Sequence, residues 1–111
     1  MAQKRFILFC DLHENEEMIQ AYENYHVKIP KSIEASILGA GIISMEIFRA
    51  GNRMAMEIIA KEDFDFDLKS KMDQANPDVM EWEKLMSTFQ KPIPSAQENE
   101  KWVVGTQIFK L

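Results

Sequence analysis

The chain has 111 residues, a formal net charge of −5, 46% hydrophobic and 28% charged residues, and a single cysteine, Cys10. That balance excludes a phosphate-backbone binder, which needs a concentrated basic surface. It also excludes a disulfide framework, and no apolar run is long enough to span a bilayer. No nucleic-acid or membrane partner is therefore expected. The length fits one domain over residues 1–111 that can bury a core without metal or crosslinks. In MAQKRFILFCDLHENEE a basic pair precedes a strand-sized apolar run that Asp11 interrupts. A secretory leader has a longer apolar stretch followed by small residues, so a cytoplasmic location is expected.

Arg5 to Leu12 reads as a buried strand. The pattern turns helical from His13, with Met18, Tyr22, Tyr25 and Ile29 on one stripe and Glu14, Glu16 and Glu17 at the positive end of the helix dipole. Pro30 ends that helix. A shorter helix carries Ile33, Ile37 and Leu38 and stops at Gly39 and Gly41. GIISMEIFR and RMAMEIIA then form a hairpin across Ala50-Gly51-Asn52. KEDFDFDLKSKMDQ starts another helix. NPDVMEWEKLMSTFQ continues helically with Asn76 as cap and Pro77 in the first turn, burying Val79, Trp82, Leu85, Met86 and Phe89. KPIPSAQENE is a loop and WVVGTQIFKL a last strand. The order β-α-β-β-α-β predicts an α+β, ferredoxin-like antiparallel sheet with helices on one face. The other face, assigned residues such as Ile43, Met45 and Ile47, is too apolar to stay wet and predicts a homodimer.

Tyr22 and His26 share one helix face at i, i+4. The imidazole either packs at the helix end near the last carbonyls or serves as a general acid/base, since imidazole exchanges protons near neutrality. The residues alone leave both readings open. Trp82 fits a core position, and an exposed indole also suits the apolar face of a sugar. Glu46 and Glu57 lie within strands, opposite Met45 or Met56 by alternation. His13 reads as solvated. Eight methionines are spread through the elements as filler. No phosphate loop, CxxC pair, HExxH or nucleophile elbow is present, and two histidines thirteen apart make no metal site.

RF at 5–6, DL at 11–12, YENYH at 22–26, GIISMEIFRAGNRMAM at 41–56, FDFD at 64–67, NPDVMEWEKLMSTFQ at 76–90, PSAQENEKWV and the closing IFKL stand in one order and spacing. Together they resemble the L-rhamnose mutarotase family, in particular its L-fucose branch, nearly end to end. The resemblance implies a dimer formed through the sheets and interconversion of α and β pyranose anomers of a 6-deoxy-L-hexose without cofactor or metal. It implies that His26 is the proton donor and Tyr22 a substrate contact. Met45 falls where the rhamnose branch has a contacting tyrosine. Trp82 and Glu83 fall where it has paired tryptophans, and Glu83 becomes a candidate for binding hydroxyls or acting as second base. Ile29-Pro30 stands, shifted by one position, for the family's Trp-Pro. The same dimeric plan also serves cofactor-free monooxygenases of the antibiotic-biosynthesis type and non-catalytic binding modules. The His/Tyr/Glu set favours a sugar.

Overall fold

The computed structural model describes residues 2–111. In chain order it contains β1 (Gln3–Leu12), α1 (Glu16–Tyr25), α2 (Lys31–Gly39), β2 (Ile42–Ala50), β3 (Arg53–Lys61), α3 (Phe66–Gln74), α4 (Pro77–Ser87), β4 (Gln90–Lys91) and β5 (Val103–Val104). The sheet is antiparallel throughout, in the order β2-β3-β1-β4, with β5 also on β1. This is the ferredoxin-like order, with its fourth strand divided into two short pieces. No helix among the described residues is long and apolar enough to cross a membrane.

Alternation along β1 and β3 decides which face meets the helices. Leu8, Cys10 and Leu12 of β1 and Met54, Met56, Ile58 and Ala60 of β3 are buried, whereas their neighbours in sequence are mostly only partly so. Two clusters fill the space above them. One gathers Leu8, Ile42, Met56, Ile58, Ala60 and Phe64 against Ile37 and Phe66. The other joins Cys10, Leu12, Tyr22, Met54 and Met86 with Ile19, Trp82 and Phe89. Each fully buried aliphatic side chain contributes about 1.5–3 kcal/mol, so these clusters hold the helices on the sheet.

The element ends follow local chemistry. Asn15, Asp65 and Asn76 cap α1, α3 and α4, each accepting from backbone N–H groups of the first turn. Pro77 occupies the first turn of α4, as expected. Gly41 and Gly51 have positive φ, at the entry to β2 and in the hairpin turn respectively. The turn is tied to the end of β1: Leu12 N donates to the Asn52 carbonyl at 2.7 Å, and Asn52 Nδ2 donates to the Leu12 carbonyl at 2.9 Å.

Three expectations are corrected. First, α1 stops at Tyr25, so Ile29 does not extend its stripe. A residue before proline is disfavoured in the helical region, and His26 already caps the helix. Second, the last strand pairs only at Val103–Val104. Gly105 still donates to the Ile7 carbonyl at 2.6 Å, in a position where a Cβ would lie 2.7 Å from the Phe9 ring. Beyond it Ile108, Phe109 and Leu111 are exposed. Third, the helical reading of NPDVMEWEKLMSTFQ overran into Gln90, which begins β4 opposite Leu12.

Candidate active site

The end of α1 supplies two candidate side chains, Tyr22 and His26, with the helix stopping between them. His26 lies just past the last helical residue, and its Nδ1 is 2.8 Å from the Tyr22 carbonyl oxygen. A carbonyl can only accept, so Nδ1 carries the proton and the neutral ring keeps its lone pair on Nε2. The His26 and Tyr22 rings lie 4.4 Å apart, tilted by 34°. Trp82, from α4, places its ring 5.7 Å from His26 in an edge-on arrangement. Tyr25 meets Trp82 on the outside at 6.3 Å. The imidazole is thus held by one backbone bond and two aromatic contacts.

Tyr22 is buried, and its hydroxyl accepts from Gln90 Nε2 at 3.0 Å. Burial pushes the phenol up to about 12, with Cys10 and Glu83 adding to the rise and the Gln90 hydrogen bond opposing it. The hydroxyl therefore stays protonated at neutral pH, and its own proton remains available for donation. Burial likewise pushes the Cys10 thiol up to about 11. That favours an inert thiol over a nucleophile. Glu83, next to Trp82 on α4, accepts from Lys101 Nζ at 3.2 Å, and the same ammonium lies 2.5 Å from Ser87 Oγ.

These groups converge on a hollow of about 680 Å³ between the sheet and the helices, lined by Tyr22, His26, Met45, Trp82, Glu83 and Gln90 among others. That size suits a small-molecule site. A wider hollow on the β2 side shares Tyr22, His26 and Met45. All five residues singled out from the sequence, Tyr22, His26, Met45, Trp82 and Glu83, therefore line one space.

Met45 and Ile47 were assigned to the open face of the sheet, and that assignment is corrected. Met45 pairs with Ile58 and Ile47 with Met56, whose side chains face the helices, so both residues belong to the hollow. A register irregularity between Ile42 and Ser44 displaces Ile43 and shifts the alternation that follows. Glu46 and Glu57 face each other on the open side, and Arg5 pairs with Glu57 at 2.6 Å. They stand opposite the site, as the alternation predicted. His13 lines neither of these hollows.

Gln90 and Trp102 also line the inner hollow, and the sequence reading passed over both. Gln90 closes the segment read as helix, four residues after Met86 of its apolar face. A polar residue at an apolar phase was the available signal. Trp102 follows a loop with no periodicity that would assign it a face. Among the described residues no group of three or more His, Cys, Asp or Glu is placed to hold a metal ion.

A family model described as L-rhamnose mutarotase matches residues 5–111. An L-fucose mutarotase from Xanthomonas campestris pv. campestris is 36% identical over 113 residues, covering 100% of this chain and 90% of that protein. A UPF0734 protein from Dictyostelium discoideum is 32% identical over 98 residues, 87% of this chain and 78% of that one. The crystal structure of an L-rhamnose mutarotase from Formosa agariphila superposes with a TM-score of 0.71 at 15% identity, covering 97% of this chain and 98% of that one. At that identity the superposition carries the fold alone.

Proposed function

The chain belongs to the L-rhamnose mutarotase family and is an isomerase acting on carbohydrate, and we propose that it interconverts the α and β anomers of a 6-deoxy-L-hexose, L-fucose ahead of L-rhamnose. The observation that carries this reading is the His26 ring: its Nδ1 is committed to the Tyr22 carbonyl, and its other nitrogen is left for a substrate in the hollow.

Mutarotation requires two proton transfers and one bond cleavage. His26, protonated at Nε2, donates to the ring oxygen while a base removes the proton of the anomeric hydroxyl. The bond from C1 to the ring oxygen breaks, its electron pair stays on that oxygen, and the C1 hydroxyl becomes the aldehyde carbonyl. Rotation about C1–C2 and the reverse transfers close the other anomer. No electrons leave the system, so no cofactor or metal is called for. Glu83 is assigned the second proton-transfer role and the binding of a hydroxyl, with Lys101 holding its carboxylate. Tyr22 donates to the sugar and orients the imidazole. Each positioned acid or base contributes about 10²–10⁴ in rate.

Trp82 and Met45 give the hollow apolar surface against the C6 methyl of a deoxy sugar. A C6 hydroxyl there would be left unpaired at a cost of roughly 1–3 kcal/mol, which places L-galactose, the 6-hydroxy counterpart, behind L-fucose. The fucose preference rests on the L-fucose mutarotase similarity. The same proposal includes a homodimer through the open sheet face, where Phe9, Ala55 and Phe48 form an apolar row and Ile7 and Ile59 add apolar surface beside it. It also includes a reducing, cytoplasmic location consistent with the unpaired Cys10.

NMR exchange spectroscopy of the anomeric signals of L-fucose, L-rhamnose and L-galactose tests the proposal. The protein should accelerate exchange, most for L-fucose. His26→Asn should lose at least about 100-fold with little change in melting temperature. A His26→Asn variant with wild-type exchange removes His26 from the mechanism, and faster L-galactose than L-fucose exchange removes the methyl pocket.

A further inference from the structure

We propose that Gln90 is the polar floor of this site, holding the Tyr22 hydroxyl in one orientation and binding a ring hydroxyl of the substrate through its own carbonyl. The inference rests on the mutarotase reading and adds a residue to it.

Gln90 sits in β4 opposite Leu12, among the buried residues that face the helices, with only 8% of its surface exposed. Its Nε2 donates to the Tyr22 hydroxyl, and its Oε1 is buried with no hydrogen-bond partner. That oxygen stands alone in this respect among the described residues. Buried amides in folded proteins are nearly always satisfied, and an apolar side chain of this length would avoid the cost of an orphaned acceptor. Tyr22 cannot satisfy the carbonyl while its oxygen accepts from the amide of the same glutamine. The unpaired atom belongs to a residue that lines the hollow with His26 and Trp82, so a turn of the buried side chain would present it to a hydroxylated ligand there, which supplies the missing donor. Rotating the amide by 180° exchanges its two atoms and leaves an unpaired N–H instead. A sugar hydroxyl, both donor and acceptor, satisfies either arrangement.

The consequence for Tyr22 is directional. With Gln90 donating to it, the phenol oxygen has its acceptor role filled, and its proton is turned away from Gln90. Gln90 thereby acts once through Tyr22, as a positioning residue, and once directly, as a contact to the sugar.

Anomer exchange measured against sugar concentration in the wild type, Gln90→Met, Tyr22→Phe and the double variant separates these roles. Gln90→Met should melt at the wild-type temperature or above, since the orphaned polar atom is gone. Its kcat/KM for the preferred sugar should fall by about 5- to 100-fold, the range set by stranding a buried hydroxyl, with KM carrying most of the loss. One of the 2-, 3- or 4-deoxy analogues should be poor for the wild type and no poorer for Gln90→Met. The double variant should lose less than the product of the two single losses, because part of the Gln90 effect passes through Tyr22. If Gln90→Met does not fold, Gln90→Asn, which withdraws the same amide by one methylene, should show the same KM rise. A folded Gln90→Met with wild-type kcat/KM overturns the Gln90 assignment and leaves the mutarotase function standing. A wild-type protein that accelerates exchange of no sugar overturns both.

Discussion

The two faces of the sheet are drawn from alternate residues of the same three strands, yet they solve different problems. On the helix side, the rows Phe6–Ile58–Met45, Leu8–Met56–Ile47 and Cys10–Met54–Arg49 run from core to cleft, because the helices cover β1 and β3 more fully than β2. On the open side, Ile7, Phe9, Ala55 and Phe48 lie between two ion pairs, Arg5–Glu57 and the two-pronged Arg53–Asp11. The arginines stay exposed while Asp11 itself is buried, and the two pairs border the apolar patch. The comparison shows that burial alone does not mark a site. Incomplete burial beside a few fixed polar groups does.

Neighbouring residues on opposite faces can break the comparison. Ile58 is 2% exposed and Ile59 only partly buried. Ile58→Ala should cost about 2–5 kcal/mol by leaving a cavity, whereas Ile59→Ala should cost under about 1 kcal/mol of folding and weaken self-association instead. Denaturant titration paired with sedimentation would measure both, and equal folding costs would mean that the two faces are buried alike.

The cleft side also hides two protons. In the unfolded chain Cys10 and Tyr22 titrate near 9.0 and 10.0, while in the folded chain burial holds them to about 11 and about 12. Between those values the unfolded state has released protons that the native state keeps, so stability is fully present below pH 9 and falls as pH rises toward 12. Each group contributes up to about 2–3 kcal/mol to that loss. Tyr22→Phe should flatten the portion between pH 10 and 12 in melts taken across this range, and an unchanged slope would place the phenol in solvent.

The smallest effects come from Ile47 and Phe48, adjacent on the edge strand β2 and both exposed. Ile47→Lys puts a charge in the cleft and should slow anomer exchange by about 10-fold with self-association intact. Phe48→Lys should weaken self-association by about 10-fold or more and keep most exchange, since Phe48 borders only the wider hollow and not the inner one lined by Trp82 and Glu83. If the two variants exchange phenotypes, the assignment of the faces is inverted.

Much of this was legible in the sequence where local chemistry decides the outcome. FILFCDL and RMAMEIIA were readable as strands from their apolar runs, Gly51 marked the hairpin, and Asn76-Pro77 marked the start of α4, but the continuous run FILFC left the buried face of β1 unassigned. The Tyr22–His26 pair was readable because i, i+4 spacing survives a helix ending between its members. What escaped depends on nonlocal contacts. β4 is two residues long and carries no period, and its strand character comes from pairing with Asp11 and Leu12 across the fold. The face of Met45 depended on an irregularity at Ile43 that no composition signals, and one residue of slip inverts a face. Gln90 lay in a segment read as helix, and pairing with Leu12 turned it inward.

The short reach of α1 has a kinetic consequence. His26 is anchored by a carbonyl in the last turn of a ten-residue helix, beside Val27, which is almost fully solvated. Helix ends open far more readily than the strands beneath them. Opening that turn frees the Tyr22 carbonyl and lets the imidazole rotate, without disturbing β1 or β3. The geometry that holds His26 therefore has its own free energy of opening, smaller than that of the whole fold. Hydrogen exchange at the amides of His26 and Val27 reports it directly, and on warming this arrangement of the imidazole is depleted while the sheet is still intact.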